Sequence, residues 1–258
     1  MFAFQTLLSK IQLAKPTDFG DLFNDSIVLF KKVWFQGLLL QLLSILIMMP
    51  FIISFYIPYF RLALENSSNG IMDSTALSQA LIDDYGASLV WVYVLMLTLS
   101  IVSSLMYLGF FRILKRIDHG QSFAVTDFFH FFQKALIGKS VVFLLAYVGI
   151  AIVATLLCFF PIVYAIIPLM FMLPIFVYNP NLTISEVVKT GFALGNKKWG
   201  ITFLTLVLNT ILLYVVILVT FGLGSLFFGC FLYLPQYIIY KKVIGFETSE
   251  SATQTADL

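Results

Sequence analysis

Six apolar runs dominate this sequence, and each approaches or exceeds the length that a helix needs to cross a bilayer. They cover residues 35–59, 87–111, 140–160, 161–178, 201–221 and 224–240. The hydrocarbon core of a membrane is about 30 Å thick and is crossed by roughly 20 predominantly apolar helical residues. The runs contain no Asp, Glu, Lys, Arg or His. This pattern predicts an all-α integral membrane protein with six transmembrane helices, arranged as three hairpins.

The composition excludes the commonest soluble classes. Apolar residues make up 60% of the 258 residues, and charged residues only 11%. A soluble domain has about 45–50% apolar and about 25% charged residues, so a water-soluble fold would leave much of this apolar surface exposed. The formal net charge of +2 is too small for a nucleic-acid-binding face. We therefore expect membrane lipids as partners and no nucleic acid.

The basic residues fix the expected orientation. With six spans, all fifteen Lys and Arg residues except Arg61 fall on one side of the membrane. An excess of Lys and Arg marks the cytoplasmic side. The asymmetry predicts that both termini are cytoplasmic, with a cytoplasmic tail at 246–258 and an outward-facing loop at 61–86.

A repeated pattern precedes the hairpins. Residues 21–34 (DLFNDSIVLFKKVW) align with residues 186–199 (EVVKTGFALGNKKW) at an offset of 165, and residues 127–139 form a weaker third copy. Each copy begins with an acidic residue and has basic residues near its end, before Trp in the first two copies, which suits the helix dipole. Thr183 and Glu186 have the spacing of a capping box. The chain is thus predicted to form one membrane domain of three units, 17–111, 122–178 and 183–242, each with a cytoplasmic interfacial amphipathic helix before its hairpin.

The ends of these amphipathic segments are the first candidate functional surface. We expect Lys31, Lys32, Lys197 and Lys198 to face anionic headgroups, where each charge contributes on the order of 1 kcal/mol. Trp34 and Trp199 have the position of interfacial anchors at the level where the chain enters the membrane.

Polar residues inside the spans are the second candidate. They include Gln41 in the first span, Ser100 and Ser104 in the second, and Asn209 in the fifth. One interpretation is a polar path or solute site. The other is hydrogen bonding and close packing between helices, which these residue types commonly serve in membranes.

One stretch of the sequence resembles a known group. The segment 179–186 (NPNLTISE), followed by 196–199 (NKKW) and an apolar hairpin, resembles bacterial six-span inner-membrane proteins. That group includes the membrane domain attached to some bacterial glycerophosphodiester phosphodiesterases and many stand-alone relatives. The resemblance implies a bacterial cytoplasmic membrane. It carries over no catalytic residue, because a phosphodiesterase barrel would need about 250 further residues.

No motif in the sequence indicates chemistry. His119 and His130 are eleven residues apart, which is not a recognised zinc-ligand spacing, and we interpret them as solvated or interfacial. We expect no catalytic centre, metal or cofactor. The sequence favours a non-enzymatic multi-pass inner-membrane protein that acts through contacts with lipids or with another membrane protein. The alternative is a transporter or channel for a small neutral or amphiphilic solute.

Overall fold

The computed structural model describes residues 2–68, 74–157 and 160–246, and these residues contain helices and no strands. This confirms the all-α class for the described part of the chain. The α-helices are α1 (Phe2–Gln12), α2 (Phe19–Ser68), α3 (Ser74–Asp118), α4 (Lys134–Leu156), α5 (Phe160–Tyr178), α6 (Ile184–Lys197), α7 (Trp199–Val219), α8 (Gly224–Phe228) and α9 (Leu234–Val243). Two 3₁₀ helices, Val125–Phe132 and Gly229–Tyr233, lie before α4 and before α9.

Five helical segments of the described chain are long and apolar enough to cross a membrane. They are Phe19–Glu65, Val90–Asp118, Lys134–Leu156, Pro161–Tyr178 and Trp199–Val219. Many large apolar side chains on them are exposed, and Trp91, Leu156 and Leu218 are among the most exposed. Apolar surface of this extent suits lipid rather than water. The structure thus supports a multi-pass membrane protein.

The sixth predicted span, 224–240, is not one continuous α-helix. It is divided into α8, the second 3₁₀ helix and the beginning of α9. Gly229 begins the 3₁₀ helix, and Pro235 lies in the first turn of α9. Glycine is a poor helix former, and proline is tolerated best where a helix begins, so the regular α-helix is interrupted between them.

The first predicted unit differs from the structure in two features, the amphipathic segment 21–34 and the loop 61–86. Residues 21–34 do not form a separate helix, because α2 continues through them for 50 residues. No proline interrupts α2 before Pro50. At 1.5 Å per residue, α2 is about 75 Å long and extends well beyond a bilayer core. The described parts of the predicted loop 61–86 are also helical, since α2 ends at Ser68 and α3 begins at Ser74.

The other two predicted amphipathic segments adopt different conformations. Residues 127–139 are shared between the first 3₁₀ helix and the start of α4, with extended backbone at Gln133 between them. Residues 186–199 lie mostly in the separate helix α6, which begins with the predicted capping box of Thr183 and Glu186. Of the predicted tail 246–258, all but Phe246 lies outside the described residues.

The beginning of α2, the end of α3 and the end of α9 meet where most of the basic residues lie. We call this part of the molecule the basic end. Lys241 of α9 forms an ion pair with Asp118 of α3 at 2.6 Å, and Lys242 forms one with Asp25 of α2 at 2.6 Å. Tyr237 and other fully buried aromatic side chains pack in this region. The described core therefore extends to the basic end.

Candidate functional site

A cavity of about 290 Å³ opens at the basic end. It lies between the end of α3, the first 3₁₀ helix, the start of α4 and the end of α5. Its polar side chains are Arg112, Lys115, His130, Lys139 and Ser140. Its other lining residues are Phe131, Leu136, Phe176, Val177, Tyr178 and Pro180. We refer to it as the basic cavity.

Gly109 lets the first 3₁₀ helix approach α3 and so form one wall of the basic cavity. A Cβ atom at position 109 would lie within 2.8 Å of the backbone O, C and Cα atoms of Phe128. Phe128 is fully buried, and Phe131 packs on Phe176 with a ring-centroid distance of 6.0 Å. Phe176 in turn stacks on Phe143 of α4 at 4.2 Å. The aromatic contacts thus connect the 3₁₀ helix to α4 and α5.

Asp127 holds the same 3₁₀ helix through its charge. Both of its carboxylate oxygens accept hydrogen bonds from Arg116 Nη1 at 2.6 Å, and Oδ2 also accepts from the backbone N–H of Ala124 at 2.9 Å. Asp127 is 8% exposed, so these bonds replace water around a mostly desolvated carboxylate. The pairing fixes the start of the 3₁₀ helix beside the last turns of α3.

His130 and Arg112 form the polar wall of the basic cavity. Arg112 Nη1 lies 3.0 Å from His130 Nε2. Since a guanidinium can only donate, the imidazole accepts through Nε2. Burial and the positive charge of Arg112 lower the pKa of His130, and Asp127 partly opposes them. Arg112 Nε is buried without a hydrogen-bond partner in the described part of the protein, although Asp127 Oδ1 lies 3.8 Å away.

Lys139 connects the start of α4 to the turn after α5. Its Nζ donates to the carbonyl oxygens of Pro180 at 2.5 Å and Leu182 at 2.7 Å. An ammonium group has three protons, so these bonds use two of them. The lysine thus closes one side of the basic cavity while keeping its charge there.

Ser140 contributes a polar group to the lining of the basic cavity that the rest of the described protein leaves unsatisfied. It is fully buried, and its hydroxyl has no hydrogen-bond partner among the described residues. By contrast, the hydroxyls of Ser100 and Ser104 donate to the carbonyls of Met96 and Ser100, four residues earlier in the helix. A buried hydroxyl without a partner costs about 1–3 kcal/mol.

Lys115 and Tyr178 separate the basic cavity from a second cavity of about 250 Å³, which they also line. Lys115 Nζ lies 4.5 Å from the centroid of the Phe246 ring and 5.9 Å from that of Tyr178. The Tyr178 hydroxyl donates a hydrogen bond to the carbonyl of Phe111. These contacts fix the position of the dividing wall.

Taken together, these side chains favour an anionic ligand with an apolar part. Three basic side chains line the basic cavity, and the carboxylate beside Arg112, that of Asp127, is already bound by Arg116. Arg and Lys are the usual donors to phosphate and carboxylate oxygens. The aromatic and aliphatic lining residues offer an adjoining apolar surface.

The predicted interfacial residues of the first unit lie elsewhere. Lys31, Lys32 and Trp34 are exposed on α2, and Trp34 packs on Phe35 and on Phe227 with centroid distances of 5.9 and 6.4 Å. These three residues remain compatible with contact to a membrane surface, but they do not line the basic cavity.

The corresponding residues of the third unit have a different role. Lys198 is only 4% exposed, and its Nζ donates to the carbonyl of Lys15 and to Thr17 Oγ1, so it does not present its charge to headgroups as predicted. Burial and the charge of Lys197 lower the pKa of Lys198. Lys197 Nζ donates to the carbonyl of Gln12 at 3.0 Å. Both lysines therefore bind carbonyls at and just after the end of α1, where helical carbonyls lack intrahelical partners.

Trp199 also has a structural contact. Its Nε1 donates to the carbonyl of Tyr164 at 3.1 Å, and its ring stacks on Phe203. The tryptophan therefore joins the beginning of α7 to α5.

The intramembrane polar residues do not form one site. Gln41 lies against Gly229, where an added Cβ would be within 3.1 Å of the glutamine Nε2 and Cδ atoms. Ser100 and Ser104 donate within α3. Asn209 is buried on α7, and neither its Oδ1 nor its Nδ2 has a partner in the described part of the chain. Of these four residues, Asn209 is the one whose polar atoms are buried without a partner among the described residues.

Sequence reasoning did not identify the basic cavity. The sequence pattern uses Arg112 and Lys115 only in the charge count, uses Lys139 there and as the basic end of the third copy, and leaves His130 as a solvated or interfacial residue. The available signal was that basic residues closely follow the second span and precede the third. The residues that the structure describes contain no group of three His, Cys, Asp or Glu side chains suited to a metal ion.

Comparison of the chain with protein-family models, with curated proteins and with solved structures finds no match.

Proposed function

We propose that this protein is a non-enzymatic multi-pass membrane protein that acts through contacts of its basic end with anionic lipids. The observation that supports this most strongly is the basic cavity, which combines Arg112, Lys115 and Lys139 with an apolar lining next to the spans. The exposed Lys31 and Lys32 add positive charge on α2. Another membrane protein is a further potential partner, through the exposed apolar helix faces.

The proposal includes six spans in a bacterial inner membrane, with both termini cytoplasmic. Support for the sixth span comes from residues 224–243, which follow one another as α8, a 3₁₀ helix and α9. α7 begins beside Thr17, and α9 ends beside Asp25, so the chain returns to the end from which α7 departs. The distribution of Lys and Arg supports the cytoplasmic assignment of that end. The resemblance of residues 179–199 to bacterial six-span proteins, and the three-unit repeat, belong to the same proposal.

The test is the lipid preference of the purified protein. We expect wild-type protein in mild detergent to retain phosphatidylglycerol in preference to phosphatidylcholine. The protein should also be more stable in nanodiscs that contain phosphatidylglycerol than in nanodiscs of phosphatidylcholine alone. Reversing Lys31 and Lys32 to Glu should reduce this preference, because two positive charges at the surface become negative. Equal retention and equal stability in both lipids would refute a function based on anionic lipid.

Transport of a small solute is the second candidate, and Asn209 is the observation that favours it. A buried carboxamide without partners among the described residues is costly and would be satisfied by a polar solute. If the protein transports a small polar solute, replacing Asn209 with Leu should abolish uptake of that solute into proteoliposomes. A variant that folds more stably and leaves every phenotype intact would instead assign Asn209 to helix packing.

A further inference from the structure

Three side chains that converge on the basic cavity offer the donors that a phosphate group needs. Arg112 brings a guanidinium whose Nε has no hydrogen-bond partner in the described part of the chain. Lys139 has one proton beyond those it gives to Pro180 and Leu182. Ser140 brings a fully buried hydroxyl that lacks a partner among the same residues. Arg112 belongs to α3, and Lys139 and Ser140 are consecutive residues of α4. All three line one cavity.

The geometry points to a binding site for one phosphate group of an amphiphile, held by Arg112, Lys139 and Ser140 in the basic cavity. This inference rests on the proposed function and assigns it a specific ligand class. The phosphate oxygens accept from the guanidinium, the ammonium and the hydroxyl, which satisfies the buried hydroxyl. The apolar part of the amphiphile lies on Phe131, Leu136 and Phe176.

Ser140 separates a ligand site from a merely basic surface. A surface lysine needs no specific partner, because water solvates it. The Ser140 hydroxyl is fully buried, lines the same cavity as three basic side chains and does not bond to its own helix. An acceptor that occupies the cavity would explain it. Phosphate is the acceptor that matches both the hydroxyl and the basic side chains.

The lining favours an amphiphile over a free anion. A site for inorganic phosphate would surround it with polar groups, whereas Phe131, Leu136, Phe176 and Val177 make up a large part of this lining. Such side chains stabilise an acyl chain by removing its apolar surface from water. A membrane phospholipid and a free phosphate ester share the phosphate chemistry and differ only in the apolar part.

The experiment measures binding to full-length protein in detergent. The probes are dioctanoyl phosphatidylglycerol, glycerol phosphate and inorganic phosphate, and the readouts are a thermal-shift titration and the bound stoichiometry by native mass spectrometry. The variants are Ser140→Ala, which removes only the hydroxyl oxygen, and Arg112→Gln. Lys134→Gln is the matched control, because Lys134 is an exposed lysine on the same helix as Ser140 and does not line the basic cavity.

We expect saturable binding of one phosphatidylglycerol molecule. Ser140→Ala should weaken it by about threefold to tenfold, which corresponds to one neutral hydrogen bond, and Arg112→Gln by about tenfold or more. Lys134→Gln should change it less than twofold. Without any probe, Ser140→Ala should be at least as stable as wild type, since an unsatisfied buried group has been removed.

The arms of the experiment distinguish the sources of the phosphate. Tighter binding of phosphatidylglycerol than of glycerol phosphate supports a lipid ligand. Equal affinities would overturn the role of the apolar lining, and an absence of saturable binding would overturn the site. If wild-type protein prefers anionic lipid but neither cavity variant alters binding, this inference fails while the proposed function stands. If no lipid preference exists at all, both fail.

Discussion

Replacing Gly109 with Ala should destabilise the protein and deform the basic cavity together. The added Cβ would lie within 2.8 Å of three backbone atoms of Phe128, whereas carbon atoms in favourable contact are about 3.5–4.0 Å apart. The first 3₁₀ helix would therefore have to move away from α3 by about 1 Å. No side-chain rotation relieves this clash, because the opposing atoms belong to the backbone of a fully buried residue.

The size of the effect follows from two opposing contributions. Overpacking a buried contact costs about 1–3 kcal/mol, and a clash with backbone belongs at the upper end of that range. Replacing Gly with Ala inside a helix returns about 1 kcal/mol. The free energy of unfolding should thus fall by about 1–2 kcal/mol. Affinity for phosphatidylglycerol should fall as well, because the displaced segment carries His130 and Phe131.

Gly149→Ala is the matched control for this substitution. Gly149 also lies inside a predicted span, but a Cβ there would have no neighbouring atom within 4 Å. It should therefore stabilise the protein by about 0.5–1 kcal/mol through helix propensity alone. Unfolding in mixed detergent micelles, followed by tryptophan fluorescence, measures both variants. If Gly109→Ala proved as stable as Gly149→Ala, the close approach of α3 and the 3₁₀ helix would be wrong.

Three further predictions concern charged groups at the basic end. Asp127→Asn should lower the free energy of unfolding by about 1–3 kcal/mol, because Arg116 loses a doubly accepting carboxylate; unchanged stability in the same unfolding assay would contradict this. Lys198→Gln should release α1, and limited proteolysis should then cleave residues 13–18 faster than in wild type, whereas an unchanged rate would argue against the anchoring role. The pKa of His130 lies below its usual 6.5, so the stability due to its neutral form is present above pH 6.5 and is lost as the pH falls through the folded-state value. Unfolding measured from pH 7.5 to 5 should show this decline, and it should be smaller in His130→Gln, which keeps an acceptor for Arg112; equal declines would assign the effect to other groups.

The spans could be predicted from the sequence because hydropathy depends on local composition. Five of the predicted runs coincide with helices that are long and apolar enough to cross a membrane. The start of α6 was predictable for a similar reason, since Thr183 and Glu186 satisfy each other within one turn. Each of these features depends on residues that are close together in the chain.

Features that depend on contacts between distant segments could not be predicted. The similar segments 21–34, 127–139 and 186–199 lie within a long α-helix, a 3₁₀ helix followed by the start of α4, and a separate α-helix. For the second segment, a visible cause is Gly109, more than fifteen residues earlier in the chain, which admits the 3₁₀ helix against α3. Lys198 was misjudged for a related reason. The charge pattern indicates which side of the membrane a lysine occupies, but not that the end of α1 would lie beside it.

Carboxylates neutralise several of the cations at the basic end, and the proposed phosphate site depends on those that they leave available. Asp118 pairs with Lys241, Asp25 pairs with Lys242, and Asp127 is bound most closely by Arg116. These pairs join neighbouring segments and neutralise one another, so they contribute little field at a distance. Arg112 shares a carboxylate that is already engaged, and Lys139 is directed to carbonyl oxygens. The predicted spans contain no ionisable side chain, and the basic cavity lies where three of them end, so under the proposed function the phosphate is bound by the basic side chains that lie next to the apolar runs.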